Sequence, residues 1–544
     1  MIPWYRLLFA CLFALVGCGA PAPPAPGADD PAPEEPLPFQ EVAARAGLSG
    51  FRVIAARGEQ TNLLDTVGCG AAVLDADGDR LVDLVLTGPD RVTLFRNRGN
   101  FQFEAVEAGF RQPGRWAGLA VGDVNNDGCP DLFVNGYGSA ALYLNEGGRY
   151  REVTDAQGLT PPVGKTPLWG TSAGFADLDR DGWVDLVVCR YVDFGADQPQ
   201  RCPTMHPGVT AVCSPEIYSP QRPRVFRNLQ GRGFQDVTDA WGVRAHGAAR
   251  GVAFQDADGD GFPEIAFAND RLPHDFFVRQ GAGYVERGAE SATGYDREGR
   301  VHGGAGLDWA DVDRDGRPDL TVMTSAGEDR SLYRNLGGNL FEEVGWRWGL
   351  TGEMRMEVTF GGRFLDYDND GWSDLVLASG HIQENAERVR PGDSYEQPVR
   401  LFRSNGFSLT PVGPEMWPRA VGRALATADF DNDGGMDFVV TTLSGPPLLF
   451  RNVGPRGNWI GLHLEGTRAN RMAIGARVMV RTPDHVRVAE VQTAGSYMAA
   501  HDSRLLIGVG RVGAVESVTV RWSGGKEVVI PAPALNTWTR VREQ

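Results

Sequence analysis

Seven short apolar runs recur along this chain, and each follows an acidic cluster that is itself preceded by another apolar run. β-Branched residues are frequent in the seven runs, and most of the runs end at a polar residue or Gly, which is typical of β-strands. The pattern therefore predicts seven hairpins with acidic turns. The runs read DLVLTG, DLFVNG, DLVVCR, EIAFAN, DLTVMT, DLVLAS and DFVVTT.

Two more strand signals follow most hairpins, which makes four strands per repeat. One is a Leu-Phe-Arg-Asn signature, and the next is a Gly-rich turn with an aromatic-x-x-Val run. The acidic clusters begin 48 to 79 residues apart. Four strands at periods near 50 residues predict an all-β fold, a seven-bladed β-propeller, against the alternative of a linear array of hairpins. The signature occupies 94–97, 225–228, 332–335 and 449–452, with looser copies at 142–145, 276–279 and 401–404.

The ring of blades has a predicted closure. After the signature at 449–452 the expected fourth strand is missing, whereas Phe39-Gln40-Glu41-Val42, followed by Gly47-Leu48, supplies such a strand before the first hairpin. The N-terminal segment is therefore expected to complete the last blade and to remove an open sheet edge.

The acidic clusters share a nine-residue pattern with Asp at positions 1, 3, 5 and 9. Alternate positions of a tight loop can turn carboxylate oxygens toward one centre, and Ca²⁺ takes six to eight hard oxygen ligands. Cys and His do not recur there, which argues against zinc or copper, and Gly at position 4 or 6 permits the sharp turn. Seven copies disfavour the alternative of simple polar turns. The sequence thus predicts up to seven Ca²⁺ ions.

The predicted metal ligands include two departures from Asp. Asn125 removes one charge from loop 2, and Glu264 ends loop 4. Positions 1, 3, 5 and 9 are Asp75, Asp77, Asp79 and Asp83 in loop 1; Asp123, Asn125, Asp127 and Asp131 in loop 2; Asp177, Asp179, Asp181 and Asp185 in loop 3; Asp256, Asp258, Asp260 and Glu264 in loop 4; Asp311, Asp313, Asp315 and Asp319 in loop 5; Asp366, Asp368, Asp370 and Asp374 in loop 6; and Asp429, Asp431, Asp433 and Asp437 in loop 7.

The net charge of -17 follows from these loops, which hold 26 of the 43 Asp residues. Seven bound Ca²⁺ ions would cancel most of it, so the acidity is interpreted as ligand supply rather than a partner-binding field. Basic charge comes almost only from scattered Arg, with Lys at 165 and 526 alone. The composition therefore argues against a nucleic-acid-binding surface.

The first 38 residues indicate export. Arg6 precedes an apolar run at 7–16 that is too short to span a bilayer, so residues 1–17 are predicted to be a signal peptide. Leu15-Val16-Gly17-Cys18 resembles the bacterial lipobox, which predicts lipidation of Cys18; an ordinary signal peptide is the alternative. Residues 18–38 are Pro-rich and predict a stiff tether. The protein is expected to be anchored in the cell envelope, at the outer membrane.

Beyond the propeller, assigned to 39–454, the acidic repeat stops. Residues 455–544 predict a small sandwich-like β domain packed on the propeller. Its strand candidates are 459–464, 476–481, 487–492, 505–509 and 515–522.

These features together resemble the cartilage acidic protein family, in which FG-GAP (VCBS-type) repeats precede an ASPIC/UnbV domain. Met472 departs from the small or acidic residue more common in the family. The resemblance implies a calcium-binding propeller on the cell surface or in the periplasm, without an agreed activity. It rests on 466–477, 495–510 and 520–524, and within the propeller on 169–173, 191–193, 268–270, 380–382 and 390–392.

Five cysteines follow Cys18. Cys202 and Cys213 lie in a Pro-rich insertion of the third repeat, where a disulfide would brace the loop in an oxidising compartment. A pairing of Cys69 with Cys129 across adjacent blades is left open, and Cys189 is expected to be a small buried side chain.

Two functions remain open from the sequence. The first is a binding or adhesion module that presents its blade loops to a protein or glycan. The second is a periplasmic enzyme at the mouth of the central channel, where Asp270, His302 and His381, with His246, could hold a transition metal. Motifs of serine hydrolases, zinc proteases and phosphate-binding loops are absent from the sequence.

Overall fold

Seven four-stranded antiparallel sheets follow one another along the chain. Within each sheet, neighbours in sequence pair as hairpins, so that the inner strand leads into the acidic loop and the second strand leads away from it. The prediction of an all-β, seven-bladed propeller is confirmed.

The computed structural model describes residues 37–53, 62–111, 114–160, 166–195, 197–198, 200–413 and 416–544. The predicted signal peptide, Cys18 and nearly all of the predicted tether lie outside the described residues. In the described part of the chain, no helix has the length and apolar character needed to cross a membrane.

The strands of each blade are given from the inner to the outer edge. Blades 1 to 4 comprise Ala71–Leu74, Asp83–Gly88, Arg91–Asn97 and Phe103–Val106; Trp116–Gly122, Asp131–Gly136, Ser139–Asn145 and Tyr150–Glu152; Gly170–Ala176, Asp185–Arg190, Arg224–Asn228 and Phe234–Asp236; and Ala249–Gln255, Glu264–Asn269, Asp275–Gln280 and Gly283–Glu286. Blades 5 to 7 comprise Leu307–Ala310, Asp319–Val322, Ser331–Gly337 and Leu340–Glu343; Thr359–Leu365, Asp374–Ser379, Gln397–Ser404 and Leu409–Pro411; and Gly422–Ala428, Asp437–Thr442, Leu448–Asn452 and Phe39–Glu41.

Shorter strands and helical segments lie outside the four strands of each blade. The strand Arg419–Ala420 pairs with the third strand of blade 6, and Cys202–Pro203 pairs with Thr210–Ala211 inside the blade 3 insertion. The helical segments are Leu64–Val67 and Ala386–Val389, with 3₁₀ turns at Pro215–Ile217 and Gly352–Met356.

The ring closes as predicted. Phe39–Glu41 forms the outer strand of blade 7, with Phe39 opposite Asn452. The Phe39 ring lies 5.0 Å from that of Phe438 and 6.2 Å from that of Trp417. This aromatic contact joins the first described residues to the last blade, so blade 7 has four strands like the other blades.

Small residues fill the inner strands because these strands crowd around the central axis. All seven residues of Trp116–Gly122 are buried. A Cβ on Gly118 would lie 1.7 Å from the carbonyl oxygen of Thr171 in the next blade, so only glycine fits there. The inner strands therefore touch through their backbones.

Two further sheets form the C-terminal part, and they share one apolar core that includes Ile460, Val478 and Trp522. Two of their strands were not predicted, Glu527–Ile530 and Trp538–Arg542. In spatial order the sheets consist of Leu505–Gly510, Asn458–Glu465 and Trp538–Arg542, and of Val486–Glu490, Arg477–Arg481, Ser517–Arg521 and Glu527–Ile530.

The acidic loops and the two ends of the channel

Each acidic loop joins the inner strand of a blade to the second strand, and its first carboxylate organises the turn. In loop 2, Asp123 accepts hydrogen bonds from the backbone N–H groups of Asp127 and Gly128, at 3.0 and 2.7 Å. Asp311 and Asp429 make the same pair of bonds in loops 5 and 7. Position 1 therefore folds the loop back on itself and points its carboxylate inward.

The carboxylate at position 9 ties the loop to the third strand. Asp83 accepts the backbone N–H of Ala76 at 3.0 Å with one oxygen and that of Asn97 at 2.8 Å with the other. The position 9 carboxylate of the other Asp-ended loops is held in the same way. In loop 4 the Glu264 carboxylate keeps only the first of these bonds, to Ala257 at 2.7 Å.

In five blades the Asn of the third-strand signature joins the blade to the one before it. Asn97 donates from Nδ2 to the carbonyl of Phe430 in loop 7 at 2.9 Å, and Asn452 donates to Tyr367 in loop 6 at 2.8 Å. Blades 2, 3 and 5 repeat this contact. These buried Asn side chains form a belt of hydrogen bonds that links five pairs of neighbouring blades through the acidic loops.

The Arg of the same signature orients the carboxylate at position 3. Arg96 lies 2.9 Å from Asp77, and Arg334 lies 2.5 Å from Asp313. Blades 3, 6 and 7 repeat the pair. In blade 2 the Arg is replaced by Leu144, and the loop there carries the neutral Asn125. The sequence reasoning missed this role, although the Arg recurs at one offset in five blades.

The carboxylates of one loop converge. In loops 1, 3, 4, 5 and 6, three of them bring oxygens to within 4.8 Å of one another. Burial raises the pKa of Asp123 to about 6, that of Asp83 to about 7 and that of Asp131 to about 8. Without a bound cation, burial therefore favours the protonated form of these carboxyl groups. A bound cation would favour the charged form instead.

Unpartnered oxygens test whether these residues fit a metal ion. Six buried carboxylate oxygens in five loops lack a hydrogen-bond partner among the described residues. A carboxylate oxygen only accepts, so a divalent cation that prefers hard oxygen ligands would satisfy it. The residues present fit Ca²⁺. The six atoms are Asp77 Oδ1, Asp177 Oδ1, Asp179 Oδ1, Glu264 Oε1, Asp366 Oδ1 and Asp431 Oδ1.

The C-terminal sheets lie on the face that the acidic loops form. Residues of this C-terminal part contact loops 2 to 7, and most of these contacts join an Arg side chain to a carbonyl or carboxylate group of a loop. Leu37–Gln544 accordingly forms one compact unit. The contacts are Arg471 to Asn126, Ser523 to Asp177, Arg521 to Asp256, Arg477 to Gly316, Arg487 to Asp370, and Arg504 and Trp538 to Asp429.

Residues 493–501 leave the C-terminal sheets and fill the channel. Ala499–Ala500 pairs in parallel with the inner strand of blade 1. The Ser496 hydroxyl accepts the N–H of Gly362 in blade 6 at 3.2 Å, and the N–H of Met498 donates to Ser172 in blade 3 at 2.8 Å. Tyr497 is fully buried. The sequence predicted a domain packed on the propeller, whereas part of it lies inside.

The insertion of blade 3 covers the other mouth of the channel. It follows a second strand and therefore lies opposite the acidic loops. The backbone N–H of Val212 donates to Gln383 Oε1 at 2.8 Å, and Asn385 donates to the carbonyl of Thr210 at 2.8 Å, so the insertion reaches blade 6. Val212 shares an apolar cluster with Tyr497. Both ends of the channel are therefore covered.

The structure gives Asp270, His302 and His381 separate partners. Asp270 accepts the Tyr191 hydroxyl at 2.6 Å and pairs with Arg250 at 3.2 Å. His302 contacts Asp296 at 3.1 Å, His381 lies 3.5 Å from Asp393, and His246 lies 2.6 Å from Asp275. Each group therefore has a polar partner in its own blade or a neighbouring one, and a shared transition-metal site stays a prediction.

The cysteines divide into a bonded pair and free thiols. A disulfide joins Cys202 to Cys213 inside the insertion. Cys69 and Cys129 are free, so a bridge between them is wrong. Cys189 is buried, and burial raises the pKa of its thiol well above the usual range. Thiol chemistry is therefore suppressed there.

Comparison with known proteins supplies the family. The FG-GAP-like repeat family model matches residues 75–134, 123–188, 311–377 and 366–440, and the ASPIC and UnbV model matches 466–544. Cartilage acidic protein 1 of Mus musculus is 25% identical over 493 residues, which cover 84% of this chain and 71% of that protein. The Homo sapiens protein is 23% identical over 497 residues, covering 84% and 69%.

The chain belongs to the FG-GAP repeat proteins with a C-terminal ASPIC/UnbV domain. It is homologous to cartilage acidic protein 1 over 84% of its length. The FG-GAP matches leave out loop 4, the loop that ends in Glu264. The ASPIC/UnbV segments that carried the resemblance contain most of the channel segment and most of the residues that contact the acidic loops. These segments are 466–477, 495–510 and 520–524.

Solved structures resemble this FG-GAP protein in fold. A lectin from Agrocybe aegerita, reported to recognise non-reducing terminal N-acetylglucosamine, is 14% identical with a TM-score of 0.42, covering 71% of this chain and 94% of that one. YCF48 from Cyanidioschyzon merolae is 11% identical with a TM-score of 0.40, covering 72% and 98%. At these values the likeness carries no argument about binding.

Proposed function

We propose that this protein is a calcium-binding, lipid-anchored propeller of the cell envelope. In this proposal it binds a protein or a glycan through the face opposite its ASPIC/UnbV domain. The observation that carries the proposal is the closure of the channel by residues 493–501 on one side and by the blade 3 insertion on the other. A closed channel leaves the outer surface of the loops for recognition. The alternative, an enzyme at the channel mouth, stays a prediction.

Calcium binding is supported by the converging carboxylates and their unpartnered oxygens. The loops would supply oxygens from positions 1, 3, 5 and 9. Their role in the proposal is structural, because the same loops carry the belt between blades and the contacts to the ASPIC/UnbV domain.

The face opposite the ASPIC/UnbV domain offers a braced and exposed loop. The Met205 side chain is 98% exposed at the tip of the disulfide-closed hairpin, and Ile217 is 51% exposed after it. Because the disulfide between Cys202 and Cys213 limits the conformations of this loop, ordering it on binding costs little entropy. Exposed apolar residues on a rigid loop are typical of contact residues in interfaces.

A binding screen tests the recognition proposal. The full chain in detergent with calcium is applied to a printed glycan array and, in parallel, to a panel of purified envelope proteins. We expect Met205→Ser to weaken binding of the best ligand at least about thirtyfold, the size of an interface hot spot. Met479→Ser, an exposed Met on the ASPIC/UnbV domain, is the control. A ligand whose affinity is unchanged by Met205→Ser but lowered by Met479→Ser would refute the assigned face.

Membrane fractionation tests the anchor. Cys18→Ser removes the thiol that would carry lipid, so the variant is expected in the soluble fraction and the wild type in the membrane fraction. An unchanged membrane fraction would show that residues 15–18 are not a lipobox.

A further inference from the structure

We propose that the loop 3 metal site is shared between the two parts of the chain. In this proposal Ser523 of the ASPIC/UnbV domain is a ligand of the ion held by Asp177, Asp179 and Asp181. The domain is thereby docked on the propeller through calcium. This inference rests on the proposed calcium binding and goes beyond it, because it names a ligand outside the acidic loops.

Loop 3 and Ser523 already meet. The Ser523 hydroxyl donates to Asp177 Oδ2 at 3.3 Å, while Arg180, inside the loop, donates from Nε to the carbonyl oxygen of Ser523 at 3.0 Å. Asp177 is 3% exposed and Ser523 is 8% exposed, so the contact is largely closed to solvent. Both the side chain and the backbone of Ser523 therefore hold loop 3.

Buried oxygen atoms at this site have lone pairs that accept no hydrogen bond. Asp177 Oδ1 and Asp179 Oδ1 are buried without a hydrogen-bond partner among the described residues. Asn470 donates a hydrogen bond to the Ser523 hydroxyl at 3.4 Å, and that hydroxyl donates its own hydrogen bond to Asp177. A hydroxyl has one proton and two lone pairs, so Ser523 Oγ retains one lone pair. Three oxygens from two parts of the chain thus remain available to one hard cation.

Two other acidic loops are also held by the ASPIC/UnbV domain. Arg477 donates to the carbonyl of Gly316 in loop 5 at 2.6 Å, and Arg504 donates to that of Asp429 in loop 7 at 3.1 Å. These carbonyl positions depend on the folded shape of the loops. Carboxylates that repel one another would distort that shape, so loss of the ions is expected to weaken the whole interface.

Calcium titration of the full chain in detergent tests the shared site. Ser523→Ala is expected to weaken one site about tenfold, within the range for a lost ligand-shell residue. Ser523→Cys keeps the volume but replaces the hard oxygen with sulfur, and it should weaken the same site equally. The control is Ser517→Ala, in the strand that leads to Ser523, because Ser517 pairs with Arg481 inside the domain's own sheet.

Limited proteolysis gives the second readout. With calcium, the connection at 453–457 is expected to resist cleavage in the wild type and the control, and chelation is expected to expose it. Ser523→Ala should need more calcium for the same protection. If Ser523→Ala or Ser523→Cys titrates like the control, Ser523 is not a ligand. If the wild type takes up no calcium, the proposed calcium binding itself is wrong, whereas calcium uptake with cleavage independent of calcium overturns only the docking.

Discussion

Removal of the Tyr497 side chain tests the filled channel. The ring is fully buried, packs 5.0 Å from the Phe360 ring and donates its hydroxyl to the carbonyl of Val67 at 2.9 Å. Truncating a buried aromatic side chain to Ala costs about 3–5 kcal/mol, since the ring loses its contacts and a cavity remains. Tyr497→Phe removes only the hydrogen bond, which contributes about 1 kcal/mol.

Urea unfolding in saturating calcium, followed by Trp fluorescence, measures both variants. The unfolding midpoint of Tyr497→Ala should fall several times further than that of Tyr497→Phe. The slope of the unfolding free energy against urea concentration should stay unchanged in both variants. Met479→Ala is the control, because Met479 is 39% exposed on the same domain. If Tyr497→Ala unfolds at the same urea concentration as the control, residues 493–501 do not lie in the channel.

Two further predictions concern charges around the blades. Arg334 neutralises Asp313 when calcium is absent, so Arg334→Leu should lower the melting temperature more in chelator than in calcium; equal losses would contradict this role. The hydrogen bond to Asp275 raises the pKa of His246, so its contribution to stability is full below the unfolded pKa and is lost as pH rises through the folded pKa. His246→Gln should therefore lower the melting temperature more at pH 5.5 than at pH 8.5, and a loss independent of pH would refute the pairing.

The blades were predictable because their signals are local. Each acidic loop and the apolar runs beside it lie within one hairpin, and Phe39–Glu41 repeats the outer-strand pattern. The strands Glu527–Ile530 and Trp538–Arg542 were missed because their residues are exposed or half-buried, which leaves little alternation of apolar and polar positions to detect.

The channel segment could not be predicted from the pattern of residues. Ser496 meets Leu307 and Gly362, which are far away in sequence, and nothing periodic marks such a contact. The one local signal is an uncharged stretch of small and aromatic residues around Tyr497. The Arg of the third-strand signature was visible as a repeat. Its partner Asp lies in the acidic loop between the first two strands, so the pairing could be recognised only in the folded structure.

Calcium uptake by the full chain tests the central claim most directly. Native mass spectrometry in a calcium series should show up to seven bound ions, and the melting temperature should rise as they bind, because a ligand that binds only the folded state stabilises it. Absence of bound calcium at millimolar concentration, or uptake without any rise in melting temperature, would contradict the account in which the seven acidic loops hold this propeller together.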